Sequence, residues 1–333
     1  HVTLFNLFEH LIEEEGRLHP AYFQKQLKPR LIFAAFTAPA LLFLVLFWVI
    51  PILASIGISF TDWDYMTSGF HMTGLGNYSS LFRDKAFQDA LIHTLLFALE
   101  TVIPVTCLGL LLAMLVYSAG RHTIYPLIIF SPWITPAVAV SIVWTWIFEP
   151  DSGLANTILR QLGMAGLPWL HSSSTALASV ALVTVWKNLG YVMLLFAGAL
   201  SRIPAELYEA ASVDGAGSLN RFVHITLPIL RPAILMIGII MTADSLRAYD
   251  QIQILTQGGP AGSTRTLLYL YYQLGFEQFD MGRGAAAVVI LMAIGISLAL
   301  VQLNMNQEGQ SCHGQPFHVR GSYGAPLSML FWD

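Results

Sequence analysis

Four polar residues, Thr184, Lys187, Asn188 and Tyr191, interrupt the otherwise apolar run "ALASVALVTVWKNLGYVMLLFAGAL". Their i, i+3, i+4, i+7 spacing places them on one face of a helix. An ammonium group in hydrocarbon costs about 3 kcal/mol even on insertion scales. The stripe must therefore face protein or a water-filled path. Two readings of Lys187 stay open: it contacts a solute, or it pairs with Glu100 of an earlier apolar run and holds two helices together. Glu100 itself is read as a helix–helix partner. Trp144, near the end of its run, either stacks on a flat apolar solute face or anchors the helix at the interface. Asp250 and Gln253 read as loop scaffolding, with contact to a solute as the second reading.

The elements that hold such a stripe follow from composition. Of 333 residues, 55% are hydrophobic and only 11% charged, and the mean hydropathy is +0.62. A soluble domain carries roughly a quarter of its residues as charges, so this chain needs lipid to cover it. The net charge of −4 offers nothing to nucleic acid. The two cysteines, Cys107 in an apolar run and Cys312 in the tail, form no disulfide framework and are read as ordinary thiols. The expected fold is an all-α integral membrane protein. A crossing needs about 20 mainly apolar residues, which predicts six spans: Leu31–Phe60, Leu91–Tyr117, Thr123–Phe148, Ser174–Leu200, Pro228–Ala243 and Gly284–Leu303. Together they make a membrane domain over residues 31–304. Residues 1–30 are expected to form an amphipathic interfacial segment, with Leu4, Phe5, Phe8, Leu11 and Ile12 at helical spacing. Residues 305–333 are expected to be a poorly ordered tail. Arg17, Lys25, Lys28 and Arg30 cluster before the first span, so the positive-inside rule puts both termini in the cytoplasm.

The same rule puts the stretch "EAASVDGAGSLNRFVHITLP", Glu209–Pro228, in the cytoplasm. Pro204–Val213 predicts a short helix with Glu206 and Glu209 early in it, where carboxylates suit the dipole. Gly215 and Gly217 break it, and Ser218 is the expected N-cap of a second helix. Ala210, Ala211, Ala216 and Gly217 make a small-residue surface. On physical grounds alone, a docking surface and a solvated loop both remain open.

This stretch resembles the cytoplasmic motif of ABC importer permeases: Glu-Ala-Ala, three residues, Gly, nine residues, Ile, one residue, Leu-Pro. Glu209, Ala210, Ala211, Gly215, Ile225, Leu227 and Pro228 match it, and Asp214 beside the glycine is taken with them. "GLGNYSSLF", "SPWITPAVAVSIVWTWIFEPDSGLAN" and "YDQIQILTQGGP" are similar to the carbohydrate-importer branch of that family, with departures at His93, Val192 and Ser201. The resemblance implies a type I ABC importer permease whose loop 204–228 is a coupling helix seated in an ATPase subunit. It implies a second permease subunit, two ATPase subunits that hold ATP and Mg, and an extracytoplasmic solute-binding protein. Thr184, Lys187, Asn188, Tyr191 and Trp144 become the candidate substrate path, since hydrogen bonds and ring stacking are what hold a sugar.

"QGGPAGSTRT" lacks the Gly-Lys-Ser/Thr ending of a phosphate-binding loop, and no lysine in the chain follows a glycine. Neither a His-Glu-x-x-His pair, a Cys-x-x-Cys pair nor a Gly-x-Ser-x-Gly elbow occurs. The chain is therefore expected to be no enzyme and to bind no metal or cofactor of its own. The contrasting expectation, a membrane-embedded enzyme or assembly scaffold, predicts that Glu209 and Gly215 are dispensable.

Overall fold

In the computed structural model the described residues are Phe33, 36–66, 69–118 and 124–311. The expectations for residues 1–30 and for the tail beyond residue 311 lie outside them. Among the described residues there are helices and no strands, only two isolated bridges, Thr61 with Met72 and Asp64 with Asp280. Five helices are long and apolar enough to cross a membrane, and one bent pair adds a sixth crossing.

The chain divides into two compact units, His1–Gly57 and Ile58–Asp333. The first contains nearly all of helix α1, Phe36–Ile58, an apolar rod with a π turn at Val45–Val49. The second unit holds α2 (Gly76–Arg83), α3 (Lys85–Ser118), α4 (Ile124–Ile134), α5 (Ala137–Ile147), α6 (Leu154–Gln161), α7 (Ala176–Leu200) and α8 (Ala205–Val213). It continues with α9 (Ser218–Leu246), α10 (Asp250–Leu255), α11 (Leu267–Tyr272) and α12 (Met281–Ser311). α12 thus runs seven residues past residue 304, the boundary expected from hydropathy.

α7 is the central helix. It packs along α3 and is flanked by α4 and α9, while α12 packs on the far side of α9. Val105 and Ala113 of α3, Val192, Met193 and Phe196 of α7, and Leu230, Ile237 and Met241 of α9 share one buried cluster. Lipid gives no hydrophobic drive for one apolar helix to seek another, so close backbone approach and polar bonds do the work. Gly109 of α3 lies against Val192, where a Cβ would come within 2.5 Å of Cγ1. Gly190 of α7 lies against the backbone of α4, where a Cβ would collide with the Ile129 carbonyl. Thr101 and Ser245 bond across α3 and α9 at 2.7 Å, and the Leu267 N–H donates to Thr94 Oγ1 at 2.8 Å.

Two sequence expectations change here. The stretch Thr123–Phe148 is not one straight crossing: α4 and α5 meet at 96°. Pro136 has no N–H to continue the ladder and adopts an extended ψ of 135°. The helix after the turn at Gly215 is also longer than expected. Gly217, with φ −66° and ψ 166°, is the N-cap in place of Ser218. From there the chain stays helical through Leu246, absorbing Pro228 with a π turn at Phe222–Thr226.

The Gly190 contact yields a test. Gly190→Ala forces α4 away from α7 and is expected to cost about 1–3 kcal/mol, read as a lower midpoint of thermal unfolding in detergent. Gly198→Ala, with open space around it, is expected to leave the midpoint unchanged or slightly raised.

Candidate functional site

The 96° break leaves the last carbonyls of α4 without helical partners. The structure satisfies two of them with side chains. Thr135 Oγ1 donates to the Ser131 carbonyl at 3.1 Å, and Lys187 Nζ donates to the Trp133 carbonyl at 3.2 Å. A cation at a helix C-terminus also suits the macrodipole. Lys187 therefore does not pair with Glu100. Glu100 is exposed on α3 and has no such bond among the described residues.

Beside this break lies a cavity of about 310 Å³, walled by Trp133 and Ala137, by Thr184, Lys187 and Asn188 of α7, and by residues 244 and 247–251. Asn188 Nδ2 donates to Asp244 Oδ2 at 3.0 Å, tying α7 to the end of α9. Lys187 uses one of its three donors on Trp133, leaving two for the cavity. Arg247 donates its Nε to the Ala243 carbonyl, leaving the other guanidinium donors open. Tyr249, at the rim, has its phenol pushed up to about 12 by burial and by its bond with Tyr272, so it stays neutral and offers the cavity an acceptor oxygen. Asp244 and Asp250 are exposed carboxylate acceptors on the same wall. The cavity thus offers donors, acceptors and an aromatic surface without a dominant charge.

Of the five path residues expected from sequence, Thr184, Lys187 and Asn188 line this cavity and two do not. Thr184 is 3% exposed and donates its hydroxyl proton to the Val180 carbonyl, so it contributes wall rather than a free donor. Tyr191 stacks on the back of Trp133, with ring centroids 4.8 Å apart and planes 11° apart. Trp144 packs against Phe148 and edge-on to Trp186 in the core. The sequence reading leaves Asp244, Arg247 and Tyr249 unassigned and puts scaffolding ahead of solute contact for Asp250. The readable signal was the Asp-x-x-Arg-x-x-Asp spacing that continues one face past the end of a span.

At the other end of α9 lies the loop 204–228. α8 ends at Val213 with Asp214 as its C-cap, and Gly215 turns the chain with φ +77°, a conformation glycine adopts without strain. Two bonds tie the arms together: Tyr208 OH to Thr226 Oγ1 at 2.9 Å, and Arg221 Nη1 donating to Ser212 Oγ at 2.8 Å. Glu209, Ala210 and Asp214 face outward; Leu227 and Pro228 are also exposed, while Ala211 and Ile225 are half-buried and border a recess of about 350 Å³ between the arms. Val213 and Leu219, flanking the turn, are 88% and 72% exposed. Sequence reasoning passed over this apolar pair.

Residues 105–308 match the family described as "Binding-protein-dependent transport system inner membrane component". The chain is 34% identical to the sulfoquinovosyl glycerol transport system permease protein SmoG of Agrobacterium fabrum, over 83% of this chain and 90% of the relative. It is 31% identical to the trehalose/maltose transport system permease protein MalF of Thermococcus litoralis, over 81% of this chain and 91% of that one. A chain of the crystal structure of a bacterial alginate ABC transporter, in complex with an alginate pentasaccharide-bound periplasmic protein, superposes with a TM-score of 0.75. It is 21% identical, with 86% of this chain and 98% of that chain covered, and so shares the fold. With its all-α spans and these relatives, the chain belongs to the family of inner membrane components of binding-protein-dependent transport systems.

Proposed function

We propose that this chain is one of the two membrane subunits of an ATP-driven saccharide importer in a bacterial inner membrane, with both termini cytoplasmic. One observation carries the reading: α9 is a single helix of 29 residues, about 43 Å long, with the braced loop at one end and Asp244 of the cavity at the other. An extracytoplasmic binding protein delivers the solute. Two ATPase subunits, which hold ATP and Mg²⁺, close on nucleotide and grip the loop through Glu209, Ala210, Ala211, Asp214 and Gly215. Ile225, Leu227 and Pro228 carry the displacement into α9. The exposed Val213 and Leu219 supply the apolar part of that contact.

The cavity supports a hydroxyl-rich solute. A saccharide presents donors and acceptors in near-equal number with flat apolar faces between them. Lys187 and Arg247 supply donors, Asp244 and Asp250 acceptors, and Trp133 an aromatic face. The relatives named for sulfoquinovosyl glycerol and for trehalose and maltose favour the same class. ATP hydrolysis drives movement of the solute only if the two ends of α9 move together, because a ligand shifts an equilibrium only between states it contacts differently.

The loop is tested by co-purifying the cognate ATPase with variants that insert equally. Gly215→Pro, which cannot adopt a positive φ, and Glu209→Lys are expected to lose the ATPase. Retention of the ATPase by both variants would place docking elsewhere. Tyr208→Phe is expected to keep the ATPase but lower solute uptake per ATP hydrolysed severalfold, because the brace to Thr226 is gone.

The cavity is tested by uptake in cells. Lys187→Met and Asp244→Asn each remove a charged hydrogen-bonding group, worth about 1.5–3 kcal/mol and hence about tenfold to a hundredfold in uptake. Both are expected to retain the ATPase. Normal uptake by both variants would remove this cavity from the solute's path.

A further inference from the structure

We infer that the outward face of α3 bearing Glu100 is the seat of a second, non-identical membrane subunit, which supplies a hydrogen-bond donor to that carboxylate near mid-membrane depth. This rests on the paired-subunit reading above.

α3 has two faces. Phe97, Thr101, Val105 and Ala113 are buried on one, with Gly109 seated against α7. The opposite face carries Leu96, Leu99, Ile103 and Leu111, 43% to 56% exposed, together with exposed Glu100 and Cys107. The leucines and isoleucine alone would suit lipid. Glu100 does not, for it sits at the midpoint of the span Lys85–Val116. Ionisable groups at that depth face protein or water and find a partner. Among the described residues Glu100 has none. Lys187, the intramembrane cation of α7, is committed to the Trp133 carbonyl and the cavity.

The covering element must therefore come from elsewhere. α1 carries no Lys, Arg or His, and its hydroxyls at Thr37 and Ser55 donate to the carbonyls of Phe33 and Pro51 within their own helix. A second copy of this chain fits poorly. A symmetric contact centred on the stripe would bring together two Glu100 carboxylates with no cation between them. A different subunit with a Lys, Arg or amide at that depth completes the pairing.

The test uses the intact complex, co-expressed with the second permease and the ATPase, in which Ile103 is replaced by a benzophenone-bearing amino acid. Irradiation is expected to yield an adduct of this chain with the second permease. Glu100→Leu, checked for equal insertion, is expected to lower recovery of the second permease about threefold to tenfold, the range of an interhelical hydrogen bond in a membrane. If the second permease co-purifies but the adduct forms within this chain, as by contact with α1, or with lipid, the inference is wrong and the paired-subunit reading stands. Unchanged recovery with Glu100→Leu also overturns it. If neither the second permease nor the ATPase co-purifies with the unaltered chain, the functional reading fails and takes this inference with it.

Discussion

A backbone inside lipid must satisfy its own polar groups, and the cavity exists because α4 and α5 break that rule at Pro136. The turn of 96° strands carbonyls that a straight helix would have used. The Lys187 ammonium answers the one on Trp133. That single bond gives the lysine of an apolar helix a partner and holds the α4 terminus, which carries the Trp133 wall of the cavity, against α7. Tyr191 stacks behind the same ring, and Gly190 lets the two backbones meet. Irregular backbone, small residue, cation and aromatic pair thus form one construction.

Around it, polar side chains join helices that lipid alone would leave indifferent to one another. Thr101 with Ser245, Asn188 with Asp244, and Gln302 with Thr242 each tie a neighbour to α9. Arg283 joins Asp84 at 2.7 Å, fastening the start of α12 to the α2–α3 junction. Beyond α5, Asn156 uses all four of its hydrogen-bonding positions on Pro150, Leu167 and Trp169. α9 gathers more of the interhelical bonds than any other element, which suits a helix whose two ends must be read together.

Much of this was legible in the residues. Hydropathy located the crossings, and the shared face of Thr184, Lys187 and Asn188 pointed to the wall they form. The glycines after Val213 marked the turn that Gly215 makes with its positive φ. What escaped was tertiary. Pro136 reads as a tolerated kink, because nothing in the local sequence says that a lysine fifty residues later will cap the broken end. Tyr191 and Trp144 have the chemistry of a solute site but spend their faces on Trp133 and Phe148. Asp244 and Arg247 read as the end of a span, although their carboxylate and guanidinium complete the cavity. The continuity of α9 was hidden by Pro228, which a π turn accommodates.

That continuity carries a movement of the loop to the cavity undiminished. Because the Tyr208–Thr226 bond makes the loop one body with α9, the assembly acts as a lever. A tilt of about 5° around the midpoint of a rod about 43 Å long swings each end through about 2 Å. The Asn188–Asp244 bond, 3.0 Å long, does not survive such a stretch, since hydrogen bonds weaken steeply beyond about 3.2 Å. A gradual rotation at the loop end is thereby converted into a make-or-break event at the cavity.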